Sequence, residues 1–306
     1  MKKLKKLENQ RYSYANKFAF LGSCFSENIH TELINAGFKS LSNPYGTLFS
    51  PKAIEQFILN SNNVLFNDEA FINRENIVLN YHANSKVYGL DRVNFENKLK
   101  TIRSHFLKAL ENIDTLFITF GTAWVYTLKS NEVTVANCQK VNQSNFIKRM
   151  LTIEEIVAGQ LEMLNFLKEI NPNLEIVYTV SPVRHTKDGL IENNRSKSRL
   201  FEAIGSLEER YSVSYFPSYE LIIDELRDYR FFEEDGVHPN NTAINAVSDL
   251  FFSSYFSNQA LTIRKEYLNY QRTLLHSPIH PELLSTQTNR KRVEEEFRQF
   301  KQNNGI

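Results

Sequence analysis

Short apolar runs alternate with helical stretches along this chain, and that alternation most constrains its fold. The run Phe18–Gly22 closes on a glycine. Residues 25–37 then read as a helix, with Phe25, Ile29 and Leu33 recurring every four positions. Thr115–Phe120 is a second buried-type strand, stopped by Gly121. Leu174–Ser181 is a third, and Val213–Phe216 is a short fourth, stopped by Pro217. Between and after them, helices are predicted from Pro51 to about Leu59 (N-cap Ser50), over Asn94–Asn112, and from Thr152 to about Ile170. The last opens on a Thr152/Glu155 capping box. Further helices are predicted over Arg195–Tyr211, Tyr219–Tyr229, Asn241–Phe256 and the charged tail Asn289–Asn304. Residues 60–88 give no clear assignment. Strands alternating with helices imply an α/β fold, with a mostly parallel sheet covered on both faces. The rhythm stops near Ser257, so we expect one α/β domain over residues 1–256 and a C-terminal helical extension over 257–306.

The composition excludes several classes. Of 306 residues, 42% are hydrophobic and 23% charged, which is an ordinary globular balance. Thirty-six Lys and Arg offset 35 Asp and Glu, so a general nucleic-acid or anionic-membrane binder is not expected. Met1–Lys6 is basic, but the polar stretch behind it is not the apolar core of a signal peptide. No run approaches the length of a membrane span. The expectation is a soluble, cytoplasmic protein whose thiols stay reduced. Nothing in the sequence fixes the oligomeric state.

In an open α/β sheet, ligands bind beyond the carboxyl ends of the strands. Four clusters fall there: Gly22-Ser23-Cys24-Phe25, Gly121-Thr122-Ala123-Trp124, Ser181-Pro182-Val183-Arg184-His185 and Asp235-Gly236-Val237-His238-Pro239. Cys24 stands where a strand turns into a helix. Free amides and the helix dipole there favour a thiolate and a developing oxyanion. The competing reading is a small buried residue at a tight turn, and Ser23 is the rival nucleophile. Asp235 and His238, three apart in a short loop, can form the orienter-and-base part of a triad, with Nε2 left for a nucleophile. A plain surface turn would carry the same pair. Ser181 and His185 can line the cleft, and Arg184 can bind an anionic group. The Asn43-Pro44-Tyr45-Gly46-Thr47 turn is a candidate oxyanion loop. Cys138 reads as structural. No His, Cys or acidic spacing fits a metal site, no phosphate-loop motif is present, and no cofactor is expected.

The Gly22-Ser23-Cys24-Phe25-Ser26 segment resembles the GSCFA domain family, a branch of the SGNH/GDSL hydrolase-like superfamily, with Ser26 in place of the final Ala. Residues 43–47, 119–126, 181–185, 215–220 and 224–239 extend the resemblance over about residues 18–255. It implies a three-layer α/β/α fold. Laid on the superfamily's Gly-Asp-Ser-Leu block, it puts Cys24 at the nucleophile position, and Asp235 and His238 match the Asp-x-x-His block. Ala123 replaces the Asn of the Gly-x-Asn-Asp block, and Gln139 stands where relatives carry His.

Two readings follow. The first is an ester hydrolase or acyltransferase with catalytic Cys24, His238 and Asp235 converging in space. Ser23, Phe25, Gly46, Gly121, Thr122, Ser181 and His185 would then line the oxyanion and substrate sites. Its substrate would be a small acylated molecule or carbohydrate. The second is a catalytically weak or inactive binding protein of the same fold, which the loss of Asn at position 123 favours.

Overall fold

A computed structural model describes residues 10–60 and 63–306, so Met1–Lys6 lies outside the described residues. The first unit runs from β1 (Lys17–Gly22) through α1 (Cys24–Asn35) to β2 (Lys39–Ser42). Then come α2 (Pro51–Leu59), β3 (Phe71–Arg74), β4 (Ile77–Asn80), α3 (Arg92–Leu110) and β5 (Thr115–Phe120). Strands β6 (Trp124–Leu128), β7 (Thr134–Val135) and β8 (Phe146–Met150) precede α4 (Ile153–Ile170), β9 (Glu175–Val180), α5 (Leu190–Arg210) and β10 (Val213–Tyr215). Helices α6 (Ser218–Glu220), α7 (Asn241–Tyr255), α8 (Asn258–Leu275) and α9 (Leu284–Asn303) complete the order.

Five strands form the central sheet in the order β10-β9-β5-β1-β2, and every pairing is parallel. Side chains alternate across it. Leu21, Ile118 and Tyr178 enter one core, against Phe57 of α2, Leu99 of α3, Leu164 of α4 and Leu200 of α5. Phe18, Phe20, Phe117 and Val177 enter the other, against Ile29 of α1 and Phe251 of α7. The expected three-layer α/β/α arrangement follows from this period-2 division of a sheet buried on both faces. Two threonines on the second face are hydrogen-bonded. The Thr119 hydroxyl accepts from Ser26 Oγ at 2.8 Å, and Thr179 Oγ1 donates to Phe216 O at 2.6 Å.

The Thr152/Glu155 capping box and the Ser50 cap form as predicted. Helix α5 starts at Leu190, five residues before its expected start, after Gly189 at a φ of 88°. The helix expected over Tyr219–Tyr229 is α6 followed by a π-helical turn over Leu221–Leu226, and Arg227 ends it in a left-handed conformation. Three features carried no sequence assignment: the short edge strand β2, the β3–β4 hairpin, and the three-stranded antiparallel sheet β7-β6-β8. Their strands span two to five residues, too short for alternation to stand out. Beyond α7, Arg264 of α8 stacks on Phe252 at 3.9 Å, and Phe297 of α9 packs on Tyr267 and Tyr270. Among the described residues, no helix is long and apolar enough to cross a membrane.

Candidate functional site

The turn between β1 and α1 is built for close approach. Gly22 pairs with Thr119 of β5, and a Cβ on Gly22 would lie 2.1 Å from the Thr119 carbonyl oxygen. Its φ of 128° is also one that L side chains rarely adopt. The Gly22 amide donates to Asn43 Oδ1 at 2.8 Å, while Asn43 Nδ2 is buried without a partner among the described residues. The chain then enters α1 with Cys24 as its first residue. Ser23 occupies the cap position, but its hydroxyl caps nothing and has no partner among the described residues, at 1% exposure.

Cys24 is half-buried and its thiol is free, as is that of Cys138. Burial pushes the Cys24 thiol up, and Glu27 adds to the shift. The Cys24 and Phe25 amides and Lys197 act in the opposite direction. Both amides belong to the first turn of α1, whose N–H groups lack an intrahelical acceptor. In sum, desolvation outweighs the helix terminus at this thiol.

The Asp235–His238 loop closes on itself. His238 Nδ1 lies 2.6 Å from Asp235 Oδ2, and Asp235 Oδ1 accepts the amides of Val237 and His238. The amide and ring of His238, with the Val237 amide, hold the Asp235 carboxyl down to about 2. Arg184, just beyond β9, reaches this loop with Nη1 3.5 Å from Gly236 O and its guanidinium over Phe232. No hydrogen bond joins His238 to Cys24 among the described residues.

The remaining candidates divide between backbone roles and the cleft. The Gly46 amide donates to Asn43 O, and those of Gly121 and Thr122 both donate to Phe49 O. These amides are engaged within the fold. The Thr122 hydroxyl bonds Ser196 Oγ at 3.0 Å, and Ser196 Oγ also accepts the amide of Ala123, the residue in the Asn position. Ser181 is buried, with its carbonyl directed at Lys197. His185 packs edge-on against Phe49, and burial, aided by Lys197, holds it at about 4. Gln139 is buried, donating to Asn80 O and Ala83 O.

One residue of the site escaped sequence reasoning. Lys197 of α5 is buried at 2% exposure, with Nζ 2.6 Å from both Gly121 O and Ser181 O. Its signal was present. Leu207, Ile204 and Leu200 define the inward face of α5, and stepping that face back by three or four places reaches Lys197, Ser196 and Asn193, all buried. A cavity of about 730 Å³ opens beside it, lined by Arg184, Asn194, Lys197, Phe201, Tyr219 and Asp235 among others. Among the described residues, no group of three or more His, Cys, Asp or Glu assembles as a metal site requires.

The chain belongs to the GSCFA family, whose model matches residues 17–251. No curated protein matches it. Among solved structures, it is similar to an acetyl xylan esterase from the rumen bacterium Butyrivibrio proteoclasticus, at 14% identity and a TM-score of 0.40. That match covers 87% of this chain and 66% of the esterase, so the chain spans just under two thirds of that protein. A carbohydrate esterase of family 3 from Talaromyces cellulolyticus matches at 9% identity, covering 82% of this chain and 99% of that one, with a TM-score of 0.36. A family two carbohydrate esterase from Clostridium thermocellum, in complex with cellohexaose, matches at 10% identity. The coverage is 84% of this chain and 66% of that one, with a TM-score of 0.37.

Proposed function

We propose that this member of the GSCFA family is an acyl-transfer enzyme, an ester hydrolase or acyltransferase with Cys24 as nucleophile. The observation that carries the reading is the position of Cys24. It opens α1 at the carboxyl edge of β1, where its own amide and that of Phe25 favour the thiolate. Those amides suit a thiolate in the ground state and an acyl oxyanion in the tetrahedral intermediate. Asn43 Nδ2, unpaired near the end of β1, is a further donor. The thiolate attacks the acyl carbonyl carbon, and the carbonyl electron pair moves to oxygen. Collapse of the intermediate expels the alcohol and leaves a thioester on Cys24. His238, its Nδ1 held by Asp235, takes the thiol proton of Cys24 on Nε2, passes it to the leaving alcohol, and then takes one from water or a second alcohol.

Support for an acylated carbohydrate comes from the cavity wall. Phe201, Tyr219 and Tyr229 offer aromatic faces beside Asn194 and Ser198, a mixture suited to sugar rings and their hydroxyls.

The test is a screen of acylated p-nitrophenyl, thioester and acetylated oligosaccharide substrates, run on the wild type beside Cys24→Ala. The reading expects turnover that Cys24→Ala abolishes, with an acyl adduct on Cys24 in mass spectra. An adduct on Ser23, or full activity in Cys24→Ala, would refute it. Failure of any substrate to turn over, with saturable binding of an acylated sugar, would favour the binding-protein reading. The missing Cys24–His238 hydrogen bond is the observation on that side.

A further inference from the structure

The cavity of about 730 Å³ beside α5 reaches the Asp235–His238 loop, since Arg184, Asn194 and Asp235 all line it. Its strongest acceptors are engaged within the fold. Asp235 is the one carboxylate among the described residues that line it, and both oxygens are occupied. His238 Nδ1 takes one, and the Val237 and His238 amides take the other. Asn194 Oδ1 accepts from Asn193 Nδ2 at 3.2 Å, and Asn194 O accepts from Ser198 Oγ at 2.9 Å.

Its strongest donors are open. Arg184 is half-buried and carries five N–H groups. Among the described residues its hydrogen bonding amounts to one long contact, Nη1 at 3.5 Å from Gly236 O, and no ion pair joins it to a carboxylate. Its guanidinium lies 4.9 Å over the ring of buried Phe232, which seats the fork without engaging its N–H groups. Asn194 Nδ2 has no acceptor among the described residues. Lys197 adds a second basic group to the wall, with its Nζ held by Gly121 O and Ser181 O. A wall whose carboxylate and amide oxygens are taken and whose N–H groups are open suits a ligand group that only accepts, an oxyanion. A planar guanidinium pairs two N–H groups at once with a carboxylate or phosphate.

Position ties such an anion to the candidate chemistry. Gly236, which Arg184 touches, lies between Asp235 and His238, so an anion on Arg184 sits beside the loop that holds the imidazole. In the same cavity Phe201 and Tyr219 pack edge to face at 5.0 Å and offer an aromatic wall to a sugar ring.

We propose that the cavity binds an acidic sugar, with its ring against Phe201 and Tyr219 and its carboxylate or phosphate on the open edge of Arg184. That this sugar is the alcohol half of an ester substrate rests on the acyl-transfer reading. Arg184 is then a specificity residue, holding the charged end of the substrate and taking no part in bond making.

The first test is calorimetric binding of glucuronate, glucose 6-phosphate and glucose. At least one acid should bind the wild type about tenfold or more tightly than glucose, as a charge-assisted bidentate contact requires. Which acid binds separates a carboxylate site from a phosphate site. Arg184→Gln should reduce that acid to the affinity of glucose. Failure of both acids to exceed glucose, or undiminished acid binding in Arg184→Gln, overturns the proposal. The second test needs no variant, which covers the case in which Arg184→Gln does not fold. Phenylglyoxal modification of wild-type Arg184, located by mass spectrometry, should slow in the presence of the bound acid and not in that of glucose. Equal labelling with and without the acid overturns the proposal. So does an Arg184 that stays unlabelled in the free protein, because its guanidinium would then not be open to the cavity. Neither test involves turnover. Acid binding through Arg184 without turnover of any acylated sugar would keep the anion site and refute acyl transfer. Turnover of neutral acylated sugars with no preference for acids would keep acyl transfer and refute the site.

Discussion

Nδ1 of His238 lies 2.6 Å from Oδ2 of Asp235, and the other oxygen of that carboxylate holds the Val237 and His238 amides. One carboxylate thus folds the loop and selects the imidazole tautomer with the proton on Nδ1. Asp235→Asn can keep the amide contacts through its carbonyl oxygen, but it offers an N–H where the imidazole needs an acceptor. We expect the proton to move to Nε2, as ¹⁵N chemical shifts of the ring would report. With an active acyl substrate, kcat should fall on the order of 10²- to 10⁴-fold with KM little changed. Wild-type kcat in Asp235→Asn would mean that the carboxylate serves the loop alone. Because the carboxyl is held at about 2, Asp235 itself should not titrate in an assay between pH 4 and 9.

Gly22→Ala should be among the most damaging single substitutions. The added Cβ would meet the Thr119 carbonyl oxygen at 2.1 Å, and the φ of 128° is unfavourable for alanine. Strain of this kind, with parting of β1 from β5, should cost about 3 kcal/mol or more in urea unfolding. A loss below about 1 kcal/mol would show that the two strands can part cheaply.

Acid stability should depend on buried His82 and half-buried His185. Burial lowers His82 to about 4, and it lowers His185 to about 4 as well. In the unfolded chain each takes a proton near 6.5, so the unfolded state binds more protons between those values. Stability is therefore full above about pH 6.5 and falls as pH drops toward 4. For His82, at 2% exposure, that difference corresponds to roughly 3 kcal/mol. His82→Gln should flatten the acid slope in urea midpoints measured from pH 7 to 4. An unaltered slope would mean that His82 gains its proton without unfolding.

The sequence made the central layers legible because their signals are local. The runs at residues 18–22, 115–120 and 174–181 are continuous and apolar, and their stops at Gly and Ser coincide with the real strand ends to within a residue or so. The Asp235–His238 bond was equally readable, since three residues of spacing suffice to make it. Lys197 was not. A lysine among Asn, Arg, Ser and Glu reads as solvated, and only the inward face of α5, set by Leu200 and Leu207, shows that it is buried. The amide commitments of Gly46, Gly121 and Thr122 were hidden for a different reason. Their acceptors are the carbonyls of Asn43 and Phe49, and packing rather than residue type brings Phe49 to Gly121.

Glu27 sets the stability of α1 against the ionisation of Cys24. It lies in the first turn of α1, where a carboxylate complements the exposed amides and the dipole. The same charge, three residues from Cys24, opposes thiolate formation after burial has already done so. Glu27→Gln should therefore have opposite effects on two measurements. Stability should fall by about 0.3–1 kcal/mol, the range for a charge at a helix end. Alkylation of Cys24 at fixed neutral pH should accelerate, because removing the negative charge lowers the cost of ionising the sulfur. Salt provides the internal control. Raising ionic strength screens a partly exposed carboxylate, so the rate difference between wild type and Glu27→Gln should shrink at 1 M salt. Slower or unchanged alkylation in Glu27→Gln would show that the carboxylate does not reach the sulfur. The reactivity of Cys24 would then be set by burial, the helix amides and Lys197.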